Sequence, residues 1–318
     1  MASLLKSLAV GAGILSLAAV STIPAAAQDG ETPTIIVVTH GQANDPFWSV
    51  VKNGVDQAAQ DTGADVSYRA PETFDMVAMS QLIDAAVNQE PDGIAVSIPD
   101  ADALSQSIER ATQAGIPVIS LNSGSDVAKD LGALLHVGQS EYDAGVRAGE
   151  QLKEMGGTTA ICVNQEVGNV SLDQRCEGFS EGFGGTVEVL PTTNDPADVE
   201  AKVRAALQSN EEIDTVLALG APTAGEPSVA AVESLNKLED VRVASFDLSA
   251  NFLQAIADGK AAFAIDQQQY LQGYLPVVFL NLNAKFGLVP GGDVPSGPNL
   301  VMQDDAQQVI DLSAQGIR

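Results

Sequence analysis

The stretch Thr34-Ile-Ile-Val-Val-Thr-His-Gly-Gln-Ala-Asn-Asp-Pro-Phe-Trp48 decides the fold of this chain. Its first five residues form an unbroken β-branched run, which predicts a strand buried on both faces of a parallel sheet. Asp45 can then cap a helix, and Pro46 suits the first helical position, whose N–H has no intrahelical partner. The loop between strand and helix lies at the carboxyl end of the strand. Ligands bind at that end of open α/β sheets, so this loop is the first candidate site.

The first residues of the chain predict export from the cytosol. Lys6 precedes an apolar run over residues 8–20, and Ala25-Ala-Ala27 fits a signal peptidase site. The run is too short to span a bilayer, which indicates a signal peptide cleaved after Ala27. The formal net charge of −27 excludes nucleic acids and anionic membranes as partners, because both would be repelled.

The only two cysteines, Cys162 and Cys176, leave two alternatives open. An exported chain can oxidise them to a disulfide, or they can remain as buried thiols on neighbouring elements. Their spacing does not fit a metal site, and His40 and His136 are isolated histidines without partner ligands. We therefore predict no metal and no cofactor.

Sequence signatures of catalysis are missing. The chain has no Walker lysine motif, no His-Glu-x-x-His and no Gly-x-Ser-x-Gly. Asp173 and Asp247 could in principle form the acid/base pair of a glycosidase. We prefer the alternative, in which both residues bind a ligand without catalysis. We predict that the protein is not an enzyme.

Short apolar strands alternate with helices of three to four turns along the chain. This βα repeat predicts parallel sheets with right-handed crossovers. The repeat restarts at about residue 159, which predicts an α/β protein of two similar, Rossmann-like lobes.

Five segments in sequence order carry a resemblance to a known family. They are Asn44-Asp-Pro-Phe-Trp48, Gly115-Ile-Pro-Val-Ile-Ser-Leu-Asn122, Arg175-Cys-Glu-Gly-Phe179, Ser245-Phe-Asp247 and Ala264-Ile-Asp-Gln267. With them the chain resembles the periplasmic sugar-binding proteins of the ribose-binding type, the capture components of ABC importers. The resemblance implies a type I periplasmic binding protein, monomeric and periplasmic, whose two lobes are joined by a three-strand hinge and which delivers its ligand to an importer permease.

The resemblance also implies domain boundaries. Residues 1–27 would be the signal peptide, residues 28–138 plus 269–298 the N-terminal lobe, and residues 139–268 plus 299–318 the C-terminal lobe.

The family pattern further implies ligand-binding residues in the cleft between the lobes. They are Asn44, Asp45, Phe47, Trp48, Asn122, Asp173, Asp247 and Gln267. Carboxylates and amides supply hydrogen-bond partners for hydroxyls, and aromatic faces cover the C–H surface of a ring. Ribose binders carry Asp where Asn122 stands and Arg where Asp173 stands. This difference argues against ribose and leaves another monosaccharide or a polyol as the ligand.

Several alternatives remain at this point. Phe47 lies on the buried helical stripe and can equally pack inward, whereas Trp48 lies off that stripe, which favours ligand contact. A receptor for the furanosyl signal autoinducer-2 has the same fold and resembles this chain at Asp173-Gln174. A cytosolic sugar-responsive repressor also shares the fold, but it needs an N-terminal helix-turn-helix instead of a signal peptide.

Overall fold

A computed structural model describes residues 32–41, 45–313 and 315–318. The predicted signal peptide over residues 1–27 and the candidate ligand residue Asn44 lie outside the described residues. In the part of the chain that is described, no helix is long and apolar enough to cross a membrane.

The described strands form two sheets. In chain order they are β1 (Thr34–Val38), β2 (Asp65–Arg69), β3 (Gly93–Val96), β4 (Val118–Asn122), β5 (His136–Gly138), β6 (Thr159–Asn164), β7 (Thr186–Pro191), β8 (Thr215–Ala218), β9 (Arg242–Phe246), β10 (Phe263–Asp266), β11 (Val294–Pro295) and β12 (Asn299–Val301). The first sheet has the order β11-β5-β4-β3-β1-β2 and the second the order β12-β10-β9-β8-β6-β7. The described pairings are parallel except for that of β12 with β10.

Helices cover both faces of each sheet, as parallel strands require. They are α1 (Pro46–Thr62), α2 (Met76–Val87), α3 (Ala101–Gln113), α4 (Glu141–Glu154), α5 (Val170–Phe183), α6 (Pro196–Ser209), α7 (Glu226–Ser234), α8 (Ala250–Ala257), α9 (Gln269–Phe286) and α10 (Gln303–Ser313). Successive residues of β1 enter opposite core layers, with Ile35 and Val37 on one face and Ile36 and Val38 on the other. The architecture confirms the predicted α/β fold of two similar lobes.

Two helix caps predicted from the sequence are present, at the start of α1 and at the start of α4. Asp45 accepts a hydrogen bond from the backbone N–H of Phe47 at 2.8 Å and so begins α1. Ser140 accepts one from the N–H of Asp143 at 3.3 Å and begins α4. The sequence analysis did not predict α10, nor the single π-helical turn over Ala221–Gly225 beside the cleft.

Helices α4 and α5 pack unusually close together because glycines face each other. A Cβ added at Gly145 would lie 2.2 Å from the carbonyl oxygen of Arg175, and one at Gly178 would lie 2.0 Å from that of Tyr142. No side chain fits at either position. This close approach brings Glu141, at the start of α4, into bonding distance of Arg175 on α5.

Candidate functional site

A cleft between the lobes encloses about 580 Å³ of empty space, part of it open to solvent. Its walls come from the carboxyl ends of strands in both sheets, where an open α/β sheet places its ligands. Six of the eight residues predicted from the sequence line this cleft: Asp45, Phe47, Trp48, Asn122, Asp247 and Gln267.

Phe47 and Trp48 form the aromatic wall of the cleft. Their ring centroids lie 5.1 Å apart in an edge-to-face arrangement, and the His40 ring lies 4.7 Å from that of Trp48. Trp48 is only 6% exposed and belongs to the core of the first lobe. The expectation that Trp48 projects away from the buried stripe is therefore only half right. Trp48 packs into the core of the first lobe and also lines the cleft.

His40 is a neutral hydrogen-bonding group in this wall. Its Nδ1 lies 2.8 Å from the hydroxyl of Ser97, and its backbone N–H donates to the same oxygen at 3.0 Å. Burial lowers the pKa of His40 to about 3, and the charge of Arg175 acts in the same direction. His40 therefore carries no charge at neutral pH.

A chain of amide and carboxylate side chains links the two lobes across the cleft. Asn122 donates from Nδ2 to Oε1 of Gln267 at 3.3 Å and to Oε1 of Gln272 at 3.1 Å. Gln267 in turn donates from Nε2 to Oδ1 of Asp247 at 2.6 Å. These groups hold one another in fixed orientations and leave further lone pairs and N–H groups for a ligand.

Asp247 follows β9 directly and is 9% exposed. Burial raises the pKa of its carboxyl to about 6, against the lowering effects of Arg175 and of the hydrogen bond from Gln267. The carboxylate is therefore ionised at neutral pH and close to titration. A ligand hydroxyl that donates to it would form a charge-assisted hydrogen bond.

Helix α5 contributes Arg175 to the cleft instead of the predicted Asp173. Asp173 is exposed, does not line the cleft, and accepts a hydrogen bond from Asn164 at 2.9 Å. Two residues correspond to about 200° of helical rotation, so positions 173 and 175 face nearly opposite ways. Asp173 was predicted because it matches a ligand-binding position of the family. In the structure, however, the face of α5 that packs on α4 carries Arg175, which therefore points inward.

Arg175 is held by a buried ion pair. Its Nε and Nη2 donate to the two carboxylate oxygens of Glu141 at 2.6 and 3.1 Å, and its Nη1 donates to the carbonyl oxygen of Leu219 at 3.2 Å. The guanidinium also lies 4.3 Å over the ring of Phe246. Burial opposes its charge, but Glu141, with smaller effects of Asp247 and Glu166, raises the pKa of Arg175 above its ordinary value. The positive charge that faces the cleft is thus paired with Glu141 behind it.

The segment after β6 also reaches the cleft, although it was not predicted from the sequence. Glu166 lines the cleft and accepts from Nδ2 of Asn169 at 2.7 Å and of Asn194 at 3.4 Å. Burial raises the pKa of Glu166. Gln165, also in the wall, is 9% exposed and its Oε1 has no hydrogen-bond partner. A polar run directly after the apolar strand β6 was the signal that could have identified these residues.

The two lobes also touch at the rim of the cleft. The backbone N–H of Val170 donates to the carbonyl oxygen of Pro99 at 3.0 Å, and Nε2 of Gln174 donates to Oδ2 of Asp126 at 2.9 Å. Both bonds join the start of α5 to loops of the first lobe. They tie the start of α5 directly to the first lobe.

The cysteines are joined. Cys162 on β6 and Cys176 on α5 form a disulfide with Cα atoms 5.8 Å apart, which resolves the alternatives left open above. Because Cys176 is the neighbour of Arg175, the bond ties the arginine's helix to the sheet beneath it.

Residues 35–287 match the family described as periplasmic binding protein domain. The chain belongs to this family. It is a family of solute-binding proteins, and the matched segment runs from β1 of this periplasmic binding protein to the end of α9.

Known proteins of this kind are similar over most of the chain. A carbohydrate transporter from Acidothermus cellulolyticus, solved in complex with myo-inositol, superposes with a TM-score of 0.84 at 34% identity, over 90% of this chain and 100% of that one. A periplasmic sugar-binding protein from Legionella pneumophila gives a TM-score of 0.77 at 26% identity, over 83% and 99% of the two chains. The xylose/arabinose-binding protein of Sulfolobus acidocaldarius is 26% identical over 79% of this chain and 67% of its own length.

Proposed function

We propose that this periplasmic binding protein captures a monosaccharide or a cyclic polyol and delivers it to an ABC importer permease. The observation that carries the proposal is one cleft that combines an aromatic wall, Phe47 and Trp48, with the chain of Asn122, Gln267 and Asp247. An aromatic wall covers the C–H face of a ring, while fixed amides and carboxylates match its hydroxyls.

The similar proteins support the same ligand class. The Acidothermus structure contains myo-inositol, and the Legionella and Sulfolobus proteins are named for sugars. A ring that bears several hydroxyls is common to these ligands. Because the similar proteins bind carbohydrates, the alternative of a furanosyl signal receptor is not favoured.

The remaining parts of the proposal concern location and state. The predicted signal peptide, cleaved after Ala27, would place the mature chain in the periplasm, where it would act as a monomer. Bonds between the lobes at the rim support a mechanism in which the ligand selects the closed cleft and the permease receives that form.

A thermal-shift screen followed by calorimetry tests the proposal. The mature protein is exposed to myo-inositol, xylose, arabinose, ribose, allose and glucose, with amino acids as a different class of solute. A ligand at a hundred times its Kd should stabilise the protein by about 2.7 kcal/mol. Stabilisation by an amino acid and by none of the sugars or polyols would refute the proposed function.

A further inference from the structure

The charges that line the cleft are strongly unbalanced. Among the described lining residues, Asp45, Glu166 and Asp247 are carboxylates, and Arg175 is the single cation. Residues 42–44, which the structure does not describe, are Gln, Ala and Asn and add no charge. Arg175 gives its hydrogen bonds to Glu141 and to the carbonyl oxygen of Leu219, so it serves the three carboxylates only through its charge.

The charge of Arg175 lowers the pKa of Glu166 and Asp247, but the hydrogen bonds to the three carboxylates come from neutral donors. Asp45 accepts from the N–H of Phe47, Glu166 from two asparagine amides, and Asp247 from the amide of Gln267. Such donors leave the negative charges in place. Their fields overlap, because Asp45 raises the pKa of both Glu166 and Asp247 after the larger effect of burial.

Gln165 adds to the same wall an acceptor without a partner. Its buried Oε1 receives no hydrogen bond, and a buried acceptor of this kind is costly unless a ligand donates to it. The three carboxylates and this amide oxygen are acceptors that an O–H or N–H group of a ligand can satisfy. Such a wall suits a ligand that offers O–H or N–H groups and repels one that offers anionic oxygens.

We propose that the cleft selects rings that are neutral or carry an amino group and excludes their carboxylated and phosphorylated counterparts. The inference rests on the proposed function and deepens it, because it names which members of the sugar and polyol class are admitted. The selection comes from the acidic wall of Asp45, Glu166 and Asp247 and not from the size of the ring.

A matched ligand series tests the exclusion by calorimetry. D-glucose, D-glucosamine and D-glucuronate share one ring, and myo-inositol is compared with its 1-phosphate. For each ring that binds, we expect the anionic form to bind at least about tenfold more weakly than the neutral form. Equal affinity of the neutral and anionic forms would overturn the inference while leaving the proposed function intact.

A second measurement needs no ligand, because Trp48 is the chain's only tryptophan and lines the cleft. Its fluorescence is quenched with iodide and with caesium at equal, low ionic strength. We expect caesium to quench at least about twofold more efficiently than iodide, with the difference reduced by added salt. Glu166→Gln and Asp247→Asn should each narrow this difference.

Glu109→Gln is the matched control for the quenching experiment, since it removes one exposed carboxylate from α3, outside the lining of the cleft. It should leave the ratio of iodide to caesium quenching unchanged. Equal quenching by the two ions, or an equal response to Glu109→Gln and Glu166→Gln, would contradict the inference. If none of the rings binds, the proposed function fails for them, and the quenching result alone decides the charge selection.

Discussion

Asn122 and Asp247 occupy equivalent positions in the two lobes. Asn122 ends β4, and Asp247 directly follows β9. Counted from the edge strand β2, β4 is the fourth strand of the first sheet; counted from the edge strand β7, β9 is the fourth strand of the second sheet. Both residues adopt a left-handed backbone, with φ of 64° and 67°, which Asn and Asp tolerate better than most residues. Gln267 bonds to both side chains. In both lobes, therefore, a polar residue with a left-handed backbone at the end of the corresponding strand faces the cleft.

Ligand affinity should depend on the ionisation of Asp247, whose pKa lies at about 6. A ligand hydroxyl donates to the carboxylate form, so affinity is full above this value and falls as the pH drops through it, by up to about tenfold per pH unit. Calorimetric titrations from pH 8 to pH 5 measure this slope. Asp247→Asn should bind more weakly at pH 8 and show a flatter profile. His40 is neutral throughout this range, because its pKa lies at about 3. A wild-type affinity that rises toward pH 5 would contradict the assignment.

Trp48 should contribute to both stability and binding, because it is buried in the core and also faces the cleft. Trp48→Ala should lower the free energy of unfolding by about 3–5 kcal/mol and weaken ligand binding. Trp48→Phe retains an aromatic ring and should therefore lose less stability and less ligand affinity than Trp48→Ala. Phe286→Ala, at a site 67% exposed, is the control and should change neither. Urea unfolding and calorimetry report the two effects; normal binding by Trp48→Ala would show that Trp48 serves the core alone.

The ion pair between Glu141 and Arg175 should be costly to break, since the two side chains are 1% and 5% exposed. Glu141→Ala leaves the guanidinium buried without its partner and should lower the free energy of unfolding by about 3–5 kcal/mol. The exposed pair of Lys52 and Asp56 offers a matched comparison. Asp56→Ala should cost less than about 1 kcal/mol. Similar losses in the two variants, measured by urea unfolding, would argue against a structural role for the buried pair.

The disulfide between Cys162 and Cys176 should raise the free energy of unfolding by about 3 kcal/mol, because it closes a loop of about 15 residues in the unfolded chain. Urea unfolding with and without reductant measures this contribution. The Cys162→Ser/Cys176→Ser double variant should match the reduced protein and show no response to reductant. An oxidised wild type that unfolds at the same urea concentration as the reduced form would refute the prediction.

The order of strands and helices could be predicted from the sequence because most elements are short apolar runs with clear caps. Asp45 and Ser140 correctly predicted the starts of two helices. Asn122 and Asp247 lie at strand ends, and both line the cleft. Helix α10 was not predicted, although Ala306 and Val309 form a short apolar stripe that packs mainly on α8.

The parts of the site that were missed depend on packing between elements. The orientation of Arg175 follows from the glycine contact between α4 and α5, which no single segment encodes. Glu166 lies in a loop, where neither helical nor strand periodicity applies. The sequence pattern placed Trp48 off the buried helical stripe, whereas its ring lies in the core and lines the cleft as well.

The path of the chain between the sheets has a consequence for proteolysis. In the described part of the chain, the path leaves the first sheet after β5, returns to that lobe through α9, and passes again from β11 to β12. A protease that cuts one of these three connections leaves the other two unbroken. A nicked molecule would therefore separate into two fragments on a denaturing gel but migrate as a single particle on a native one.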